Sequence, residues 1–339
     1  MANLMLTKQC NLHCCYCFAN EFVNRQSDVM SYENFLTCLR FLSHNPEERI
    51  GLIGGEPTMH PELKRMLAEL IDSPFKAVCL YTNGILVDNF FNELRNGKFQ
   101  ILVNLNAPSD IGKGLYDRIM ANLDQMIYHL YMRHQVQLSL NIHSPGMDFT
   151  YILEALRRFA QKRLRLSIAV PNMDARRTVD PLCYFRMMGD TVRNLVSSLL
   201  EMDVAPVFDC NYIPFCIATE DDRALFAKYP ETMKRSNLLR LNPTCSPVLD
   251  ILPDLRVVRC FGMSDIYKVS LLDFHNTEEL KRHFETEVDA LAYHILPSME
   301  CKGCNDYAAR KCSAGCYAYR LPQLRLLRET IERNYGALR

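Results

Sequence analysis

Apolar and polar positions fall into two alternating patterns along the first part of the chain. Short apolar runs at residues 3–6, 50–53, 78–80, 102–105, 137–141 and 164–170, each closed by turn residues, read as buried strands. Between them, residues 32–43, 62–71, 88–95, 116–132 and 149–161 read as helices. Strands alternating with helices of this length predict parallel βαβ units, six of them over about the first 200 residues. Further on, residues 247–251 and 255–259 are strand-like and joined by a Leu-Pro-Asp turn, which predicts a hairpin. A last helix starts near Leu321.

The chemistry concentrates at the ends of these predicted strands. Cys10, Cys14 and Cys17 follow the first strand as CxxxCxxC, with Tyr16 before the last cysteine. Three thiolates on one loop can hold three corners of an iron–sulfur cubane that is ordinarily held by four cysteines, leaving one iron open. Tetrahedral zinc would be one ligand short. His13 and Cys15 lie off the spacing and read as loop packing. The second strand runs into Gly54, Gly55, Glu56 and Pro57, where two glycines permit close backbone approach and proline fixes the exit. The third ends in Tyr81-Thr82-Asn83-Gly84.

The cysteine loop and the Gly-Gly-Glu-Pro turn together resemble the signatures of radical S-adenosylmethionine (radical SAM) enzymes. The resemblance implies an α/β fold, a partial (β/α)6 TIM-like barrel, with its chemistry at the C-terminal ends of the strands. It implies a 4Fe–4S cluster on Cys10, Cys14 and Cys17, with S-adenosylmethionine contacted by Gly54, Gly55 and Glu56. Tyr16 would lie beside the adenine. Asn83, Asn106, Asn141 and Arg165 fall where the family places further contacts to the cofactor.

Fifteen cysteines exceed what one cluster needs. Cys245 and Cys260 flank the predicted hairpin, and Cys301-Lys302-Gly303-Cys304, Cys312 and Cys316 follow within sixteen residues, a dense metal-site pattern. The order is similar to the SPASM and twitch extensions that bind auxiliary iron–sulfur clusters. It departs from a full SPASM domain by lacking one cysteine before the hairpin pair and one after Cys316, and by a wider gap between Cys304 and Cys312. Six cysteines therefore serve one complete cluster or two incomplete ones, with Cys210 and Cys216 as reserves. Cys38, Cys79 and Cys183 read as buried small hydrophobes. The expected organisation is a core over 1–205, a bridge over 206–244 and a small C-terminal cysteine-rich SPASM/twitch-like domain over 245–339.

Composition narrows the function classes. Of 339 residues, 48% are hydrophobic, and 39 basic against 39 acidic side chains leave no net charge, without the basic footprint of a nucleic-acid binder. No apolar run approaches a membrane span, and no signal-peptide pattern opens the chain. A cytoplasmic protein with reduced thiols is expected. By resemblance, the leading expectation is oxidation or cross-linking of a peptide or protein, with a flavodoxin- or ferredoxin-like reductant as partner. The core begins at residue 3, so a peptide would need a separate recognition partner or a groove on this chain. Oxidation of a small molecule such as an aminosugar alcohol is the second reading. A non-catalytic zinc module is the third.

Overall fold

The computed structural model describes residues 2–17, 23–24, 28–45, 49–171, 179–209, 213–238, 244–264 and 267–335. Six strands, β1 (Ala2–Thr7), β2 (Ile50–Gly54), β3 (Val78–Thr82), β4 (Phe99–Asn104), β5 (Val136–Ile142) and β6 (Arg163–Ile168), pair in sequence order and all run parallel. Their apolar runs supply the core: Leu4, Leu52, Leu80, Val103, Leu138 and Leu166 are wholly buried. Parallel strands are covered on both faces, which is why they read as near-continuous apolar runs. The connecting helices bury one stripe each, Phe35, Cys38, Leu39 and Leu42 from Tyr32–Leu42, and Leu63, Met66, Leu67 and Leu70 from Leu63–Asp72. Each such side chain contributes about 1.5–3 kcal/mol by leaving water. Ser31 caps the first helix by accepting from the Asn34 amide at 3.1 Å.

The sheet extends further than the sequence pattern predicts, in both directions. A 21-residue helix, Pro181–Glu201, capped by Asp180, leads to β7 (Ala205–Phe208), a seventh parallel strand on β6. On the other edge, β8 (Asp250–Ile251) pairs parallel with β1, joining Asn3 to Asp250 and Leu4 to Ile251. β9 (Arg256–Val258) and β10 (Lys268–Ser270) follow antiparallel, so one sheet of ten strands runs in the order β10-β9-β8-β1-β2-β3-β4-β5-β6-β7. Among the described residues the two ends of the row do not pair with each other, which is the arrangement of an open barrel. The hairpin expected in the C-terminal region thus lies on the strand that leads to the first cysteine loop. Asp250 secures it, accepting from Asn3 Nδ2 and from the Phe261 amide, each at 2.7 Å. Burial pushes this carboxyl up to about 7.

Several expected elements need correction. Residues 88–95 form a 3-10 turn, Val87–Phe90, and a one-turn helix, Phe91–Leu94, rather than one helix. The helix expected over 116–132 begins at Lys113 and ends in a π turn, Gln125–His129. Cys183 is exposed on the helix Pro181–Glu201, not buried, because its position faces away from the stripe of Leu182, Tyr184, Phe185 and Met188. His13 and Cys15 are exposed, so neither packs the loop. Cys38 and Cys79 are buried as expected. Among the described residues, no helix is long and apolar enough to cross a membrane.

Candidate metal and cofactor site

The cysteine loop leaves the C-terminal end of β1 and is tied down by its neighbours. The Gly55 amide donates to Thr7 O at 2.8 Å and the Glu56 amide to Gln9 O at 2.7 Å. The two glycines permit this approach: a Cβ at Gly54 would stand 2.5 Å from Thr7 O, and one at Gly55 would stand 2.3 Å from Gln9 O and 3.0 Å from Cys10 Cβ. Asn24, itself in the left-handed region at φ 60°, accepts from the Cys10 amide at 2.8 Å and donates to Cys10 O at 3.0 Å. Asn83 reaches across from the end of β3 to donate to Asn11 Oδ1 at 2.7 Å.

Glu56 is the keystone beneath this loop. It is 1% exposed, and its carboxylate accepts from the Thr58 amide (3.1 Å), Thr58 Oγ1 (2.7 Å), Thr82 Oγ1 (2.8 Å) and the Asn83 amide (2.7 Å). Burial raises its pKa, and these four donors oppose the rise. Its side chain is therefore engaged within the protein, linking the end of β2 to the end of β3.

Cys10, Cys14 and Cys17 lie close enough for their charges to interact. Cys14 and Cys17 close a tight turn through Cys17 N–H to Cys14 O at 3.1 Å, and the Leu12 amide points at Cys10 Sγ at 3.4 Å. Burial pushes the Cys10 thiol up to about 11, so a thiolate there forms when a cation takes the place of its proton.

Beside Cys14 lies a polar network that the sequence reading found only in part. The Tyr16 hydroxyl donates to Asn106 Oδ1 and accepts from Asn104 Nδ2 at 3.0 Å, while Asn141 Nδ2 donates to Asn104 Oδ1 at 3.0 Å. Cys14 Sγ stands 4.0 Å from the same Asn106 Oδ1. The Tyr16 ring stacks on His143 at 4.9 Å. Among the described residues, Asn106 Nδ2 is buried without a hydrogen-bond partner. The structure therefore brings Tyr16, Asn106 and Asn141 together and adds Asn104 and His143. Arg165 sits lower, opposite Ser139 in the β5–β6 pairing, donating to Ser139 Oγ at 3.1 Å and bridging to Asp209 beyond β7.

The C-terminal cysteines gather into two sets. In one, Cys245 and Cys260 flank Arg259, which is 1% exposed, and Cys316 adjoins Cys245. Its Nη1 points at Cys245 Sγ (3.4 Å) and Cys260 Sγ (3.8 Å), and its far side is paired to Asp289. Cys316 as hydrogen-bond partner, and then the Arg259 charge, hold Cys245 well below the ordinary thiol range. In the other set, the charges of Cys301, Cys304 and Cys312 interact, next to buried Arg320. Ser313, fully buried, joins the sets by accepting from the Cys245 amide at 3.0 Å and donating to Gly315 O at 2.7 Å. The Ala314 and Ala318 amides point at Cys312 Sγ (3.2 Å) and Cys316 Sγ (3.4 Å). Cys210 lies outside the described residues. Neither buried arginine was found from sequence, where each is one basic residue among 39.

Residues 4–165 match the family model of the radical SAM superfamily. The match takes in just under half of the chain, and that stretch is similar to a radical SAM domain. The 4Fe–4S cluster and S-adenosylmethionine are the cofactors of that family. The chain is 26% identical to a GTP 3′,8-cyclase of Staphylococcus carnosus over 175 residues, 48% of this chain and 51% of that protein. It spans about half the length, or less, of the curated relatives it matches. Among solved structures, SuiB of Streptococcus suis bound to S-adenosylmethionine superposes with a TM-score of 0.62 at 14% identity, over 95% of this chain and 73% of that one. The structure of anSMEcpe with bound S-adenosylmethionine and a peptide superposes with a TM-score of 0.61 at 16% identity, over 97% and 99% of the two chains. These likenesses establish the partial-barrel fold.

The residues present fit the family's cofactors. The donor set is three thiols on one loop, an amide faces the Cys10 sulfur, and an unpartnered buried Asn106 Nδ2 stands by for an acceptor. Among the described residues, no three His, Cys, Asp or Glu side chains converge on a single-ion site. A cubane, being larger than one ion, takes more widely spaced thiolates.

Proposed function

We propose that this chain is a radical SAM enzyme that removes hydrogen from a peptide or protein substrate, oxidising or cross-linking it, and that its C-terminal cysteines hold auxiliary iron–sulfur clusters. The observation that carries the reading is the assembly of those cysteines into two sets beside the barrel, each next to a buried arginine. It is supported by the fold likeness, which runs through the C-terminal region to enzymes whose structures hold peptides, SuiB with its precursor peptide and anSMEcpe with a peptide. When bound, the cluster and S-adenosylmethionine supply a 5′-deoxyadenosyl radical, the hydrogen-abstracting species.

The chain's own residues do the rest. Cys10, Cys14 and Cys17 would hold the cluster. The strands tie the loop down through the Gly55 and Glu56 amides and the Asn83 side chain. Asn106 Nδ2 offers a donor to an acceptor atom of the cofactor, and Tyr16, braced by His143, Asn104 and Asn106, offers an apolar face to a base. Arg259 and Arg320 offset the negative charge of buried thiolates.

A small-molecule substrate is the second reading, favoured by the GTP 3′,8-cyclase names of the curated relatives. The test is anaerobic reconstitution with S-adenosylmethionine and a strong reductant, assaying 5′-deoxyadenosine by mass spectrometry alone, with a tryptic peptide pool and with GTP. Stimulation by peptides, with loss of two hydrogens from one of them, supports the proposal. Stimulation by GTP alone replaces it with the second reading, and a colourless zinc protein removes both.

A further inference from the structure

The second cysteine set has an unassigned neighbour. Cys216 sits on a one-turn 3-10 segment, Phe215–Ile217, far from Cys301 in sequence but not in space. Ile217 packs on the apolar cluster formed by Leu182, Cys301 and Ala314, so the residue after Cys216 lies against the cluster that includes the first cysteine of the CxxC turn. The thiols are close enough for their charges to interact: Cys216 with Cys312 and Cys304, and Cys301 with Cys216, Cys312 and Cys304. The neighbourhood is fixed from a second side, where Arg186 on the helix Pro181–Glu201 makes a bidentate pair with Glu300, both contacts at 2.6 Å, beside Cys301. The CxxC turn itself is closed by Cys304 N–H to Cys301 O at 3.2 Å, with Gly303 at φ 81°.

We infer that Cys216 is the fourth thiolate of an iron–sulfur site whose other three are Cys301, Cys304 and Cys312. The inference rests on the auxiliary-cluster reading above. Cys216, on the segment before the hairpin, already stands beside these three thiols and can supply the fourth ligand to them. Each thiol gives its proton to solvent as its sulfur bonds to iron. The seven cysteines then divide into a closed four-thiolate site and the three-thiol set around Arg259.

The test uses the full chain carrying Cys10→Ala, Cys14→Ala and Cys17→Ala, reconstituted without oxygen, so that only auxiliary iron is counted. Iron and sulfide per chain, visible absorption and low-temperature EPR of the reduced protein are measured for that background. The same measurements follow after adding Cys216→Ala, Cys216→Ser, Cys301→Ala or Cys183→Ala. The background is expected to hold about eight irons, and Cys216→Ala to lose about four of them, the same number as Cys301→Ala, with its EPR signal. Cys216→Ser, which preserves the shape of the site, is expected to give a cluster with an altered EPR signal or none. Cys183→Ala, one turn from Arg186 and exposed, is expected to match the background. Iron and spectra unchanged by Cys216→Ala and Cys216→Ser, while Cys301→Ala loses iron, overturn the assignment and leave the auxiliary-cluster reading standing. A background with no iron, or with zinc instead, overturns both.

Discussion

Replacing Gly55 with alanine tests whether the cysteine loop is positioned by direct backbone contact. The new Cβ would meet Gln9 O at 2.3 Å and Gln9 C at 2.6 Å, both backbone atoms that no rotamer change can move aside. Restoring ordinary contact at 3.4 Å requires a displacement of 3.4 − 2.3, or about 1.1 Å. A shift of that size stretches the Gly55–Thr7 and Glu56–Gln9 hydrogen bonds, now 2.8 and 2.7 Å, beyond bonding range. Two bonds at about 1 kcal/mol each, plus about 1–3 kcal/mol for overpacking, give a loss of about 3–5 kcal/mol. At about 2 °C per kcal/mol for a chain of this size, thermal unfolding is expected to drop by about 6–10 °C. Cys10, which moves with the loop, should also bind iron less completely. Gly97→Ala is the control, because a Cβ there meets nothing within 4 Å. If Gly55→Ala melts with Gly97→Ala and keeps its full iron, the loop has room to spare and the argument fails.

Tyr16→Phe removes a donor to Asn106 and an acceptor for Asn104; about 1–3 kcal/mol of weaker S-adenosylmethionine binding is expected, read as a raised KM with kcat little changed. Arg259→Met leaves the Asp289 carboxylate buried without its partner and should cost about 3–5 kcal/mol, with part recovered in Arg259→Met/Asp289→Asn; equal melting of the two variants would contradict this. Asp250, with its folded pKa pushed up to about 7, binds its proton more tightly when folded. Its contribution is therefore complete below the unfolded carboxyl range, near 4, and is lost as pH rises through about 7. Denaturation of wild type against Asp250→Asn between pH 5.5 and 8 should show wild type losing its relative advantage up to about pH 7 and then levelling, and a constant difference would count against it.

The six core strands were legible because buried parallel strands write themselves as apolar runs, and the cysteine loop because its spacing is dense. β7 and the helix before it were not read, since Ala205–Phe208 is four residues long and contains a proline. The pairing of β8 with β1 joins residues about 250 apart through two residue pairs, a signal no local pattern carries. Among the residues of the network beside Cys14, Tyr16, Asn106 and Asn141 were expected from their positions, but Asn104 ends a strand like any polar residue and became visible only through its hydrogen bonds. Arg259 could have been suspected from its place between two apolar residues and Cys260, where a lone charge calls for a buried partner; Asp289, thirty residues on, supplies it.

Because β8 occupies the outer edge of β1, the first cysteine strand is an interior strand of its sheet. Removing residues from 245 onward would turn β1 into an exposed edge and uncover Met5, which packs with Leu252, Val258 and Phe261. An unprotected, apolar strand edge invites pairing with other chains. The shortened chain would therefore be expected to aggregate rather than persist as a free-standing barrel. In this architecture the gain or loss of the cysteine-rich extension is coupled to the solubility of the core itself, which constrains how such a protein could be shortened, fused or recombined.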